Sequence, residues 1–308
     1  MTATRLEPAE PLRGSGVALE RAMLDSLDDL EGALRLEVMG ENEFRVRNER
    51  SRFGRAFGGQ LLAQAMLAAA ATVDGQLPHS LHAYFVRSGD SDVPLDISVE
   101  RTRDGRSMST RQVTVRQSGR EILTAIVSFH TNPAEPELFQ GSSGGVRPEE
   151  LPLLQQWVDF APEEMRPTAR KWIELPPPVE MRIGEAPTFV VPGRDSDERE
   201  HWMRLPREIG DRPAAHIAML AYASDYLLLD MAFRNHPEQV DHRGFVGLSL
   251  DHSIWVHRAV RFDEWHRYTQ RIGAVSGHRA LVHGTLHDLA GHLVATTAQE
   301  VLVRPVSR

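Results

Sequence analysis

The stretch FGGQLLAQAMLAAAATVDG, residues 57–75, decides how the rest of the chain folds. From Gln60 to Val73 it is apolar on nearly every side, and Asp74-Gly75 supplies a helix stop. A helix of this kind has no face to offer water, so other elements must wrap it. Its most apolar part, Leu61 to Val73, is interrupted by Gln64 and falls short of the ~18 residues that a membrane span needs. No membrane span is expected.

The wrapping follows directly in the sequence. LHAYFVRSG (81–89), LDISVERTR (95–103), MSTRQVTVRQ (108–117) and EILTAIVSFH (121–130) are rich in β-branched and aromatic residues. Asp104-Gly105 and Ser118-Gly119 mark turns between them, which predicts consecutive antiparallel strands. Upstream, Leu19, Met23, Leu24 and Leu27 fit a short amphipathic helix, and GALRLEV (32–38) leads into a strand. A buried helix and a meander satisfy each other if the sheet curls around the helix, an α+β arrangement.

The same grammar returns downstream. Asp211 and Pro213 open the helical segment AAHIAMLAYASDYLLLDMAF (214–233). FVGLSLDHSIWVHR (245–258), WHRYTQRIGAVS (265–276), RALVHGTLHD (279–288) and HLVATTAQEVLVR (292–304) follow, with turns at Ser276-Gly277 and Ala290-Gly291. His82 and His252 stand 170 residues apart, and the pairs Gly105/Gly277 and Gly119/Gly291 are each 172 apart. A diverged internal duplication explains this spacing. Two such units can join their sheets edge to edge, which removes a hydrogen-bonding edge from each, with the helices on one side. Between the units, 11 of the 19 prolines fall from Pro133 to Pro192, including Pro176-Pro177-Pro178. That composition reads as a structured connector, with Leu154, Trp157, Phe160 and Trp172 apolar enough to dock. The expected division is a flexible tail (1–16), a first domain (17–130), a proline-rich linker (131–177) and a second domain (178–308).

Composition limits the chemistry. The 308 residues carry a net charge of −8, which argues against a general nucleic-acid binder. Cysteine is absent, which excludes disulfides, thiolate metal sites and cysteine nucleophiles and suits a cytoplasmic location. Met1 to Gly16 has no apolar run of the kind a secretory leader uses. Arginine supplies 34 of the 35 basic residues, Lys171 being the exception, and guanidinium groups suit phosphates. His283 and His287 lie about 13 Å apart along a strand, too far to hold one ion, and no metal is implied. The GxSxG pattern at Gly141–Gly145 sits in the connector without the strand-to-helix setting of a nucleophile elbow. Gly14-Ser15-Gly16 lacks the later glycine of a dinucleotide fingerprint.

The quoted segments FGGQLLAQA, LHAYFVRSGD, RTRDGRSMSTR, YASD, LDHSIWVHR and TTAQEVLVR, in this order from about Ala18 to Arg304, resemble the acyl-CoA thioesterase II (TesB-type) family. The resemblance implies a double-hotdog fold, two tandem units each with a curled antiparallel sheet around a central helix. It also implies hydrolysis of fatty acyl-CoA by a water activated by an Asp, a Thr or Ser, and a Gln, which here are Asp225, Ser249 and Gln299. Serine stands where better-known members carry threonine. No cofactor is implied, the partner is the acyl-CoA substrate, and homo-oligomers are common in the family. An enoyl-CoA hydratase of the same fold group and a non-catalytic acyl-CoA-binding module are the alternatives.

Each residue also has a plainer reading. Asp225 interrupts an apolar helix, where a carboxylate needs partners or a task, yet Ser224 or Asp225 also suits the cap of a second helix, Tyr226 to Phe233. Strict alternation places Ser249, Asp251, Ser253 and Trp255 on one strand face, which suits an exposed serine. Gln299 shares its face with Ala295, Thr297, Val301 and Val303, so it is an inward amide that needs partners, a sheet-edge hydrogen bond among the options. Gly58-Gly59 reads as a tight strand-to-helix entry or as backbone laid open to a substrate. The first half contains no carboxylate in its helix, so catalysis is expected in the second half, with the first supplying packing, sheet pairing and one wall of an acyl tunnel.

Overall fold

The computed structural model describes residues 15–131, 138, 141, 145–191, 197–236 and 244–306. The expected tail lies almost wholly outside these residues, as does the centre of the GxSxG segment. In the first half, α1 (Ser15–Ala33) precedes the short strands β1 (Glu37–Gly40) and β2 (Glu43–Val46). Then come α2 (Gly58–Ala70) and the meander β3 (Leu77–Phe85), β4 (Leu95–Asp104), β5 (Met108–Gln117) and β6 (Arg120–His130). The stretch between the halves carries two 3-10 turns, Pro148–Glu150 and Leu154–Phe160, and α3 (Arg166–Glu174). Leu154, Trp157 and Trp172 from this stretch are buried, and Trp172 stacks on Phe189 with ring centroids 4.6 Å apart.

The second half adds β7 (Glu180–Ile183), β8 (Glu198–Arg204), α4 (Pro213–Ser224), α5 (Leu228–Arg234), β9 (Phe245–Ser249), β10 (Asp251–Val256), β11 (His266–Ser276), β12 (Arg279–Asp288) and β13 (Leu293–Pro305). The strands form one sheet in the order β1-β2-β4-β5-β6-β3-β10-β13-β12-β11-β8-β7, with β9 also pairing β13. The seam is the antiparallel pair β3/β10, in register from Tyr84 opposite Asp251 to Ser80 opposite Trp255. This is the α+β double hotdog, each half folding its sheet about one apolar helix. The helices α2 and α4 are buried along nearly their whole lengths, as expected of helices without a polar face.

Three local departures from the sequence reading matter. The helical segment from Ala214 to Phe233 breaks after Ser224; the second helix starts at Leu228 rather than Tyr226 and is not capped by Ser224 or Asp225, and Leu227 takes a left-handed backbone, φ +66°, before it. A leucine there costs roughly 1–2 kcal/mol, which its own burial offsets. The turn after β11 is centred on Gly277-His278, φ +55° and +64°, rather than on Ser276-Gly277. The segment read as one strand from Phe245 divides at Leu250 into β9 and β10, and this break determines where Ser249 points.

Candidate functional site

The division at Leu250 is a β-bulge. Ser249 lies opposite Val301 and Ser253 opposite Ala298, so four steps on one strand face three on β13. One extra residue reverses the alternation of side chains. Ser249 therefore joins the inward face that carries His252 and Ile254, not the outward face of Ser253 and Trp255. Hydrogen bonds fix the bulge: Leu250 N–H donates to Glu300 O at 2.9 Å, and Glu300 N–H donates to Asp251 Oδ1 at 2.7 Å. The strict-alternation expectation for Ser249 is thereby corrected.

Across this bulge, the inward Gln299 is fully buried, and its Nε2 donates to Ser249 Oγ at 2.7 Å. Its Oε1 lies 2.6 Å from His252 Nδ1. Burial pushes the His252 pKa down to about 4, with the Gln299 bond opposing, so the ring is neutral near pH 7. A neutral ring facing an amide oxygen carries its proton on Nδ1, leaving Nε2 to accept from Ser224 Oγ at 2.9 Å. Ser224 Oγ also lies 2.8 Å from Ala221 O, so its proton is shared between two acceptors. The chain of bonds runs one way, from Ser224 through His252 and Gln299 to Ser249. It leaves the Ser249 hydroxyl proton to donate elsewhere.

Asp225 ends α4 and is only 8% exposed. It caps no helix by its side chain, since the N-cap of α5 is Leu227. Instead its Oδ2 accepts the Gly59 N–H at 2.9 Å, a contact across 166 residues from the N-terminus of α2. Its Oδ1 is buried with no hydrogen-bond partner among the described residues. Burial raises the Asp225 pKa to about 7, while the nearby Gln299 amide and the Gly59 N–H pull in the opposite direction. The Gln299 amide acts here through proximity, short of a fully formed hydrogen bond.

The glycine pair has a third role, different from both readings of the sequence. A Cβ on Gly58 would lie 2.6 Å from Asp225 Oδ2, and one on Gly59 would lie 2.1 Å from Tyr222 O. Glycine lets α2 approach the end of α4 closely enough for its N-terminal N–H, at the positive end of the helix dipole, to meet the carboxylate. The end of α4 is anchored from the sheet as well. Tyr268 Oη donates to Ser224 O at 3.0 Å, and Gln270 Nε2 donates to Tyr226 O at 2.8 Å, satisfying carbonyls that a helix end leaves open. On the other flank, Tyr222 Oη donates to the Glu49 carboxylate at 2.9 Å, and burial raises the Glu49 pKa to about 7.

The structure thus gathers Gln299, Ser249 and Asp225 at one place. The sequence reading missed the Gly59 N–H, His252 and Ser224. The quoted YASD and LDHS segments contained the last two, but nothing in their spacing says that they touch. The group can do acid–base work on a neutral nucleophile: it has a buried carboxyl with one open oxygen, a hydroxyl and an amide, all held by neighbours.

The sequence profile of the acyl-CoA thioesterase N-terminal domain matches residues 47–130, and that of the acyl-CoA thioesterase C-terminal domain matches residues 148–303. The chain is 36% identical over 280 residues to human acyl-coenzyme A thioesterase 8, covering 88% of this chain and 87% of that protein. It is 30% identical over 293 residues to acyl-CoA thioesterase 2 of Haemophilus influenzae, covering 92% and 99%. Among solved structures it is similar to acyl-CoA thioesterase II TesB2 of Mycobacterium marinum, with 33% identity, a TM-score of 0.72 and coverage of 90% and 99%. The tesB protein of Mycobacterium avium gives 30% identity, a TM-score of 0.74 and coverage of 91% and 100%.

Proposed function

The chain belongs to the acyl-CoA thioesterase family, and from that premise we propose that it hydrolyses fatty acyl-CoA by direct attack of a water that Asp225 deprotonates. Ser249 and Gln299 orient that water. The observation that carries the reading is the buried Oδ1 of Asp225, without a hydrogen-bond partner among the described residues, beside the Gln299–Ser249 pair. In the proposed step a proton passes from water to Asp225, and the water oxygen bonds to the thioester carbon. The resulting oxyanion collapses and the carbon–sulfur bond breaks. The electron pair leaves on sulfur, and a thiol of pKa near 8.5 departs as thiolate without needing a strong general acid. A pKa of about 7 suits the base, because at neutral pH a large fraction is ionised while the group remains a usable proton acceptor.

The bonding chain from His252 assigns Ser249 a donor role, since its oxygen already accepts from Gln299. Threonine would keep that donor. The division proposed is 17–130 and 178–308 joined by 131–177; the two profile matches support two units, the second match taking in residues 148–177 of the proposed connector as well. Among the described residues no helix is long and apolar enough to cross a membrane. A cytoplasmic location, which a cysteine-free chain suits, and a homo-oligomeric state belong to the same proposal. Tyr84, Ile126 and Trp255, exposed together on the outer face of the sheet at the β3/β10 seam, support the second.

The test is free-thiol release from acyl-CoAs of graded length, with mass spectrometry of the protein quenched during a single turnover. Thiol release with unmodified protein supports the reading; an acyl group on Ser249 or Asp225 refutes direct water attack.

A further inference from the structure

A cavity of about 180 Å³ lies at the opposite end of the α2/α4 pair from Asp225. Its apolar lining includes Leu77, Pro78, Ile217, Val256 and Val260, and its polar lining includes His79, Arg258 and Arg261.

Its position is that of the catalytic group carried through the internal duplication. Asp225 sits where α4 ends, beside Gly58, on which an added Cβ would lie 3.1 Å from the Phe85 ring at the end of β3. The cavity sits where α4 begins, beside the start of β3 and the end of β10. The sequences agree with this exchange. Ala65-Met66-Leu67-Ala68 recurs as Ala218-Met219-Leu220-Ala221, which places Thr72 as the counterpart of Asp225. The spacing of 170 makes His79 the counterpart of Ser249, and the spacing of 172 makes Val127 that of Gln299. Thr72 is engaged by the buried Arg111, whose Nε donates to Thr72 Oγ1 at 2.7 Å and whose Nη2 donates to Thr72 O at 3.0 Å. The duplicated place therefore has space, but at the counterpart positions it carries Thr72 for the carboxylate, His79 for the serine hydroxyl and Val127 for the amide.

We propose that this cavity is a second, non-hydrolytic site that takes the hydrocarbon tail of a short- to medium-chain carboxylate, with the carboxylate at Arg261. The thioesterase reading supplies the ligand class, a fatty carboxylate being its product; the site itself rests on the cavity. Apolar cavities of about 150 Å³ accept a six-carbon guest such as benzene, so the size fits a chain of roughly that length. Arg261 binds Asp211 and Asp263, and the Asp211 side chain is 91% exposed. An exposed pair of that kind contributes only about 0–1 kcal/mol, so an incoming carboxylate can replace Asp211 at little cost. His216 closes the polar side without competing, because its Nε2 meets Gly210 O at 2.7 Å and its Nδ1 accepts the Phe262 N–H at 3.1 Å.

The test is calorimetric titration of octanoate into enzyme whose catalytic site is saturated with a non-hydrolysable thioether analogue of acyl-CoA. One saturable site is expected, weakened at least tenfold for octanol and at least tenfold by Ile217→Trp, which fills the cavity. Ala259→Trp, at an exposed lining position, should do the same by blocking the mouth if the buried change prevents folding. Both variants should keep free-thiol turnover. Absence of saturable binding, equal binding of octanol, or binding unchanged by both tryptophans would overturn the proposal. Failure of the analogue to saturate the enzyme would instead overturn the catalytic reading, which the same experiment reports separately.

Discussion

Replacing Asp225 by asparagine should abolish turnover and, above neutral pH, stabilise the protein. The carboxyl ordinarily titrates near 3.8, and burial raises it to about 7 in the folded chain. Between those values the folded state retains a proton that the unfolded state has released, so stability falls as pH rises from about 4 to about 7 and is level above that. At about 1.4 kcal/mol per pH unit, ionising Asp225 in place costs the fold up to ~4 kcal/mol at pH 8. At 8% exposure there is little solvent screening to reduce this. Asparagine keeps the shape and does not titrate. Urea unfolding of both proteins should therefore give nearly equal stabilities at pH 4 and a gain of about 2–4 kcal/mol for the variant at pH 8. Glu49, whose pKa burial also raises to about 7, is present in both proteins and cancels in the difference. A variant less stable than wild type at pH 8, or a difference that does not change with pH, would refute the claim that this carboxylate is held ionised at an energetic cost.

Gly59→Ala should destabilise by about 2–3 kcal/mol and lower activity, because the new Cβ would lie 2.1 Å from a backbone oxygen that cannot yield; thermal unfolding reads the first effect and thiol release the second. Ser249→Thr should stay within a few-fold of wild type in kcat/KM, whereas Ser249→Ala should lose roughly 10²-fold, since only the former keeps a donor hydroxyl. His252→Leu should lower kcat by about 10-fold or more with little change in KM, as Gln299 loses the bond that orients its amide, and unfolding should show a loss of ~1–3 kcal/mol from the polar groups left buried without partners.

Much of the architecture was legible because it depends on period and composition. A helix such as Gln60 to Val73 excludes every surface position, and four β-rich runs after each such helix leave few ways to cover it. Asp225 stood out for a similar reason, as a charge within an apolar segment. What could not be read is what depends on a single backbone irregularity or on contacts far apart in the chain. Alternation put Ser249 on the face of Trp255, and only the extra residue at Leu250 reverses it. The Gly59 N–H reaches Asp225 from the other half of the molecule, so nothing local to either residue announces the bond. Leu227 shows the same limit, since a left-handed leucine is imposed by packing against its own preference. Catalysis is expected from the sequence to be concentrated in the second half, and the geometry adds a donor from the first half, the Gly59 N–H, to the proposed base.

The most direct measurement is the pH dependence of kcat/KM for thiol release by wild type and Asp225→Asn. The rate of wild type should rise about tenfold per pH unit on the acid side and level off above about 7, where the carboxyl is ionised. The variant should retain its fold, lose at least 10³-fold, and show no such limb. A variant that turned over at a comparable rate along the same profile would contradict the assignment of Asp225 as the base.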